Sequence, residues 1–195
     1  MTLPFSQACE NNKAAILTCL KNTFQQASKV LEVGSGSGQH AVYFRQQLPH
    51  LQWQCSDRQI NLRGLQARLD AEAPQLPAAK AFDVMQQAPV TDVDALFSAN
   101  TCHIMPTTAV EALFAHFSSD LGAVKRLCIY GPFNDDGNYS SASNADFDRY
   151  LRSRDVQMGI RDQQWIAALA QAQGFQLVAN NAMPANNRLL DFKRD

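Results

Sequence analysis

Hydrophobic positions along the chain alternate between two periods. From Asn11 to Gln26, Ala14, Ala15, Ile16, Leu17, Leu20 and Phe24 recur at helical spacing, and the short run Lys29–Val33 that follows has strand character. Gln39–Leu48 returns to helical spacing with Ala41, Val42, Phe44 and Leu48 inward; Pro49 stops it, and Leu51–Cys55 reads as a second strand. The alternation goes on with a helix over Gln59–Ala73, a short strand at Ala78–Phe82 and a strand at Ala95–Ala99. Thr108 and Glu111 have the spacing of a capping box opening a helix over Thr108–Asp120, and Val124–Tyr130 is strand-like. Gly131–Arg161 is less regular, with Ser143 and Asp146 spaced to cap a short helix through Arg152. Asp162 caps Gln163–Gln173, Gly174 ends that helix, and Phe175–Ala179 and Arg188–Phe192 close the chain as strands joined through the turn residues Pro184–Asn187.

Strands alternating with helices predict an α/β fold, a mostly parallel sheet with helices on both faces. The connection Asn180–Asn187 is too short for a crossover, so the last two strands form an antiparallel hairpin. No repeat or Pro/Gly/Ser linker divides the 195 residues, which are expected to form one domain.

Charge narrows the partners. Seventeen Lys and Arg against 18 Asp and Glu, evenly spread, leave a net charge of −1, so neither nucleic acid nor an anionic membrane is expected as the main partner. The longest uncharged stretch, Ala95–Val110, holds Ser98, Asn100, Thr101 and His103 and is no transmembrane helix. The start, MTLPFSQACENNK, lacks the basic and apolar regions of a signal peptide. Cys9, Cys19, Cys55, Cys102 and Cys128 include no CxxC pair and read as free thiols of a cytoplasmic protein, with no metal site.

The strongest local feature is Val30-Leu31-Glu32-Val33-Gly34-Ser35-Gly36-Ser37-Gly38-Gln39-His40, a strand running through three glycines into a helix. That context suits a nucleotide: glycine lets the backbone approach a ligand, and the helix start presents free N–H groups. The spacing is GxGxG, not the GxGxxG of dinucleotide folds, and Gln39-His40 does not supply the Lys-Ser/Thr pair of a phosphate loop. Asp57 ends the second strand roughly 20 residues beyond the glycines, where an acid accepts from both ribose hydroxyls. Asp83, after the third strand, is placed for an adenine amino group. Acids without Lys or Arg near the loop suit a ligand with ribose and adenine but no pyrophosphate. This combination resembles the seven-stranded, Rossmann-like class I S-adenosylmethionine-dependent methyltransferases.

Further segments, LEVGSGSGQHAVYF (31–44), LPHLQWQCSD (48–57), FSANTCHIMP (97–106), YGPFNDDGNYSSASNADFD (130–148), GIRD (159–162) and MPANNRLLDF (183–192), resemble the DUF938 or UPF0585 family, the methyltransferase-like protein 26 type. The resemblance covers nearly the whole chain and implies a cofactor-binding methyltransferase fold. The chain departs from it at Asn11, where the family usually carries Arg, and at Cys55, where it carries Pro.

On this reading Asn12, Glu32, Gly34, Ser35, Gly36, Gly38, His40, Asp57, Asp83, Val84 and Asn100 form the S-adenosylmethionine site. Asn100 and His103 follow the fourth strand, where such a fold faces the transferable methyl group, and His103 is a candidate general base. The structural alternative for His103 is a backbone cap before Pro106. Gly131–Asn144 is the expected lid or recognition loop within an irregular 131–161 segment. Tyr130, Asn134 and Arg161 are candidate substrate contacts, Arg161 as a carboxylate clamp or as the neighbour of a helix cap. Asn186 and Asn187 are placed to reach the rim. The expected activity is methyl transfer to a small molecule; a non-catalytic cofactor-binding regulatory module is the alternative, and a nicotinamide oxidoreductase is disfavoured by the glycine spacing. A homodimer is compatible with the sequence.

Overall fold

The computed structural model describes residues 2–90 and 92–195. Along the chain run α1 (Gln7–Thr23), β1 (Lys29–Val33), α2 (Gln39–Gln47), β2 (Gln52–Asp57), α3 (Leu62–Glu72), β3 (Lys80–Ala81), β4 (Ala95–Ala99) and α4 (Thr107–Ala115). They are followed by β5 (Arg126–Asn134), α5 (Ala142–Arg154), β6 (Arg161–Asp162), α6 (Gln163–Ala172), β7 (Gln176–Met183) and β8 (Asn187–Lys193). The sheet has the order β3-β2-β1-β4-β5-β8-β7, with β6 added alongside the end of β5. The first five strands pair in parallel, while β8 lies antiparallel between β5 and β7. This is the expected mostly parallel sheet with an antiparallel C-terminal hairpin, plus one short strand, β6, that the sequence pattern does not reveal.

Period-two alternation distributes the strand residues between two cores. Leu31, Val33, Leu96, Leu127 and Ile129 pack on the side of α4 and α6, whereas Val30, Ala95, Phe97, Cys128 and Tyr130 pack on the side of α1, α2 and α3. Both faces are covered, which is why these strands read as continuous apolar runs. The five cysteines are free thiols. No helix among the described residues is long and apolar enough to cross a membrane.

Several boundaries differ from the sequence expectation. Helix α1 starts at Gln7, because the Ser6 hydroxyl accepts from the Cys9 N–H (3.3 Å); its first turn is polar and invisible to an apolar pattern. The capping box of Thr108 and Glu111 does not form: α4 begins one residue earlier, and the Pro106 carbonyl receives the N–H groups of Ala109 and Val110. Strand β5 continues four residues beyond Tyr130, since β8 offers partners as far as Pro132. Ser141, not Ser143, caps α5, accepting from the Asn144 N–H (3.1 Å). The segment expected as an irregular lid is thus strand, a tight turn bridged between Asp135 and Asn138, and a 13-residue helix. Asp162 caps α6 as expected, accepting from the Gln164 N–H (2.9 Å).

The C-terminal strand is held by Arg194, whose five N–H groups reach the carbonyls of Phe117, Leu121, Gly122, Val124 and Gln173 at 2.6–3.1 Å, with the guanidinium 4.5 Å from the Phe175 ring centre. A lysine cannot reproduce this planar fork. Arg194→Lys is expected to lower the unfolding free energy by about 2 kcal/mol, read from urea melts.

Glu32 lies inside the α1/α2 core, 2% exposed. Its carboxylate accepts from Trp53 Nε1 (3.0 Å) and Ser35 Oγ (2.9 Å), beside the Cys55 thiol. Burial pushes its carboxyl up from 4.5 to about 7, with the Asp57 charge adding to the rise and the hydrogen bonds opposing it. The folded chain therefore binds this proton more tightly than the unfolded chain. The stabilisation is complete below about pH 4.5 and fades as the pH rises to about 7. Glu32→Gln should flatten this part of the stability profile by about 3 kcal/mol at most, at about 1.4 kcal/mol per pH unit. Unchanged pH dependence of chemical denaturation in the variant would refute the assignment.

Candidate functional site

At the carboxyl ends of the parallel strands, where the order reverses between β1 and β4, a cavity of about 840 Å³ opens. Such a switch point is where open α/β sheets bind ligands. One side of the cavity is built by the turn after β1 and the ends of β2 and β3. The other is built by the end of β4 and the segment after it, by Pro132 of β5, by α5 and by the 184–187 turn.

The glycine turn is fixed to β2. The N–H groups of Gly34 and Ser35 both donate to the Ser56 carbonyl at 3.0 Å, and the Gly36 N–H donates to Asp57 Oδ2 at 2.7 Å. Gly34 (φ +74°) allows no Cβ, which would stand 2.3 Å from Thr101 Cγ2, while a Cβ on Gly36 (φ +54°) would meet nothing within 4 Å. The backbone at Gly36 is therefore bare toward the cavity. Asp57 also accepts from the Arg58 N–H and Asn61 Nδ2, both at 2.7 Å, so three partners fix its carboxylate at the wall. After β3, Phe82, Asp83, Val84 and Met85 line the same side, with Asp83 accepting from the Met85 N–H (3.0 Å).

His40, on the first turn of α2, faces the cavity with its ring stacked on Phe44. Its Nε2 stands 2.7 Å from Asn12 Oδ1; an amide oxygen only accepts, so Nε2 carries the hydrogen and Nδ1 faces the Cys9 thiol at 3.9 Å. Burial pushes the imidazole down to about 4, so it is neutral at physiological pH. Asn12 does not touch the cavity; it stands behind His40 and beside the buried Tyr130 hydroxyl.

Asn100 and His103 lie where β4 gives way to its loop. Asn100 holds the left-handed conformation (φ 59°), rare for a residue with a side chain, and its N–H donates to the Tyr130 carbonyl at 2.8 Å. Neither side chain has a hydrogen-bond partner among the described residues, so the His103 ring caps no backbone group. Its ring packs edge-on against Phe147 of α5 at 5.4 Å. Burial, reinforced by the Arg161 charge, pushes His103 down to about 4. It too is neutral, and ready to accept a hydrogen bond.

The far wall was expected in part: Asn187 reaches the rim, and Pro132, Ser143 and Asn144 belong to the expected recognition segment, which is strand and helix here and not an open loop. Ser143, Asn144 and Phe147 come from α5, and Ala185 and Asn187 from the final turn. Asp148 anchors α5. Although burial works against its charge, Arg152, the Ile160 N–H (2.6 Å) and Tyr139 together hold its carboxyl below the usual range. The signal for Asn187 was the turn itself; Asn144 and Phe147 sit on a helix whose inward face carries too few apolar residues to reveal it. Ser6 and Cys9 of the α1 start also line the cavity and carried no motif, and Ser37 of the glycine turn lines it too.

Of the sequence candidates, Gly34, Ser35, Gly36, His40, Asp57, Asp83, Val84, Asn100 and His103 meet at the cavity. Asn12, Glu32, Gly38, Tyr130, Asn134 and Arg161 do not line it. Glu32 supports the turn from beneath. At Gly38 a Cβ would press on Leu65 and Arg68 of α3. Asn134 is turned inward, with Oδ1 buried and unpartnered. Arg161 forms no carboxylate clamp: its Nε donates to the Cys102 carbonyl (3.1 Å) and its Nη2 to those of Met105 and Gln157, which ties β6 to the loop after β4. No group of three or more metal-ligating side chains occurs among the described residues.

Solved structures share this fold. Human N-acetylserotonin methyltransferase in complex with S-adenosylmethionine superposes with a TM-score of 0.80 at 13% identity, over 96% of this chain and 53% of that one. The S-adenosylmethionine-dependent methyltransferase SibL gives 0.77 at 18%, over 96% and 55%. The mitomycin 7-O-methyltransferase MmcR gives 0.74 at 17%, over 88% and 50%. The chain spans about half the length of these proteins, and at such identities the likeness is one of fold. The family described as "Protein of unknown function (DUF938)" matches residues 3–194. With nearly every residue inside that match, the chain belongs to the DUF938 family.

Proposed function

We propose that the protein binds S-adenosylmethionine and transfers its methyl group to a small-molecule acceptor. The observation that carries this reading is the pairing of Asp57 with the bare Gly36 backbone in one cavity at the strand switch point. The residues present fit that cofactor. Three bonds hold the Asp57 carboxylate, and Oδ2, which receives one of them, keeps room to accept from a ribose hydroxyl. Phe82, Val84 and Met85 form an apolar surface beside Asp83 that suits adenine, and the glycine turn offers unhindered backbone to the methionine part. Arg58 is the one cation among the described lining residues, against the several that a pyrophosphate would call for. When bound, the cofactor supplies a methyl group already activated on a sulfonium.

The remaining task of the chain is alignment, which is worth roughly 7–11 kcal/mol. Asn100 and His103 would face the acceptor, and His103 would take the proton that the acceptor loses on methylation and pass it to water. A neutral imidazole can take the proton but, with burial holding it near 4, does not retain it. Asn100, held at φ 59°, is placed to orient either reactant. The same low affinity of both cavity histidines for a proton favours one other reading, a cofactor-binding regulatory module without chemistry. The compartment proposed for either is the cytoplasm.

Calorimetric titration should give micromolar binding of S-adenosylmethionine, weakened about tenfold or more in Asp57→Ala, as expected for losing charge-assisted hydrogen bonds. No binding, or equal binding by the variant, refutes the proposal. Incubation with methyl-labelled cofactor and a small-molecule extract then separates the two readings: label in product supports the enzyme, and binding without label supports the module. In the enzyme case His103→Ala should slow transfer about a hundredfold, and the wild-type rate should show no histidine inflection between about pH 5.5 and 6.8.

A further inference from the structure

Charge is divided sharply across the cavity. Asp57, Arg58 and Asp83 all belong to the side built by β2 and β3. Beyond Asn100 and His103, the wall made by α5, the residues after β4, Pro132 of β5 and the final turn carries no Asp, Glu, Lys or Arg. Arg161 approaches this region but lines none of it, and its Nε and Nη2 donate to backbone carbonyls. A buried anion on this wall would find no cation, and a buried ammonium no carboxylate; either would cost several kcal/mol.

Hydrogen-bond accounting refines the picture. The Asn144 amide nitrogen donates to Ser140 Oγ (2.8 Å) and to the Asn186 carbonyl (3.1 Å). That of Asn187 donates to the carbonyls of Pro184 (3.0 Å) and Ala185 (3.3 Å). Each amide has two N–H hydrogens, so both are fully engaged within the protein and each keeps only its oxygen for a ligand. Neutral His103 adds one ring nitrogen that accepts and one that donates. The amides of the wall, Asn144 and Asn187, are thus left as acceptors alone, and they need a donor opposite. Around these groups Phe147, Met105 and Pro132 are apolar, with the Phe147 ring standing against His103.

We infer that the methyl acceptor is an uncharged, ring-sized molecule that presents an O–H or N–H donor to Asn144, Asn187 and His103, and that ionised acids and amines are excluded. This specificity rests on the methyl-transfer reading and narrows it. The excluded acids would face amide oxygens, and the excluded amines would lie unpaired beside an apolar ring.

The test uses the full chain saturated with S-adenosylhomocysteine, the demethylated cofactor, and four probes of one shape: 2-naphthol, 2-methoxynaphthalene, 2-naphthoate and 2-naphthylmethylammonium. Calorimetry at neutral pH should rank 2-naphthol first, about tenfold or more tighter than each of the others. Phe147→Ala, checked for folding by its melting curve, should weaken 2-naphthol about fivefold or more while leaving the S-adenosylhomocysteine affinity unchanged. If naphthoate or the ammonium matches naphthol, if the methyl ether matches it, if no probe binds, or if Phe147→Ala binds naphthol normally, the inference is overturned. Failure of the cofactor analogue itself to bind is a separate result, and it overturns the methyl-transfer reading first.

Discussion

The site depends on one buried network at the junction of β1 and β2. Ser35 Oγ donates to the Glu32 carboxylate at 2.9 Å and accepts from the Ser56 N–H at 3.2 Å, while the Ser56 carbonyl receives the N–H groups of Gly34 and Ser35. Ser56 Oγ returns to the Glu32 carbonyl at 2.7 Å. Glu32 and Ser56 are buried, so a partner lost there would leave a desolvated polar atom, at about 1–3 kcal/mol. The turn therefore has one conformation. Its consequence lies at the cavity, where the Gly36 N–H and the Asp57 carboxylate are held together before any ligand arrives. Burial raises the carboxyl beneath to about 7, so beside Trp53 and Cys55 it takes up a proton far more readily than a free glutamate does.

Sheet topology turns this fixed corner into one half of a larger cavity. Parallel strands all end on the same side, so β1, β2 and β3 deliver the turn, Asp57 and Asp83 to one edge, and β4 and β5 deliver Asn100, His103 and Pro132 to the other. The first half is made of strand ends and carries charge. The second is closed by a helix and a hairpin turn, and it is neutral. A ligand with a charged and a neutral part has one orientation that satisfies both halves of the cavity.

Much of this was legible in the sequence because local and global signals agree there. Val30–Val33, the alternating glycines and Asp57 each obey a spacing rule with a mechanism behind it, and all three meet where expected. The far wall was legible as a segment but not in its structure, for a physical reason. β5 extends through Gly131 and Pro132 only because β8, more than fifty residues later, pairs with it, and a turn dipeptide inside a strand defeats any local rule. Once the strand runs on, Ser141 rather than Ser143 caps α5, and the helix presents Asn144 and Phe147 to the cavity. Arg161 was misleading in the opposite sense. Its residue type suggests a clamp for carboxylates, but long-range packing gives its donors to carbonyls of the loop it secures. Tyr130 and Asn134 follow from the same error in the length of β5, since a strand residue points into the core and not into a loop.

Two neutral histidines at one cavity bear on how such a site can work. A group that stores a proton must bind it near the working pH, and burial denies this to both His40 and His103. His40 is fixed in one tautomer by Asn12, so its hydrogen is already engaged and its free nitrogen faces Cys9. His103 has no such partner and keeps both nitrogens available. The two therefore stand in different surroundings: His40 belongs to the packing that joins α1 and α2, and the His103 ring, packed on Phe147, keeps its polar atoms free. A polar residue without a partner at the edge of a cavity is tolerated only where something else completes it. In this chain the groups so placed include the Asn100 amide, the His103 ring and the oxygens of Asn144 and Asn187, all away from the side that carries Asp57, Arg58 and Asp83.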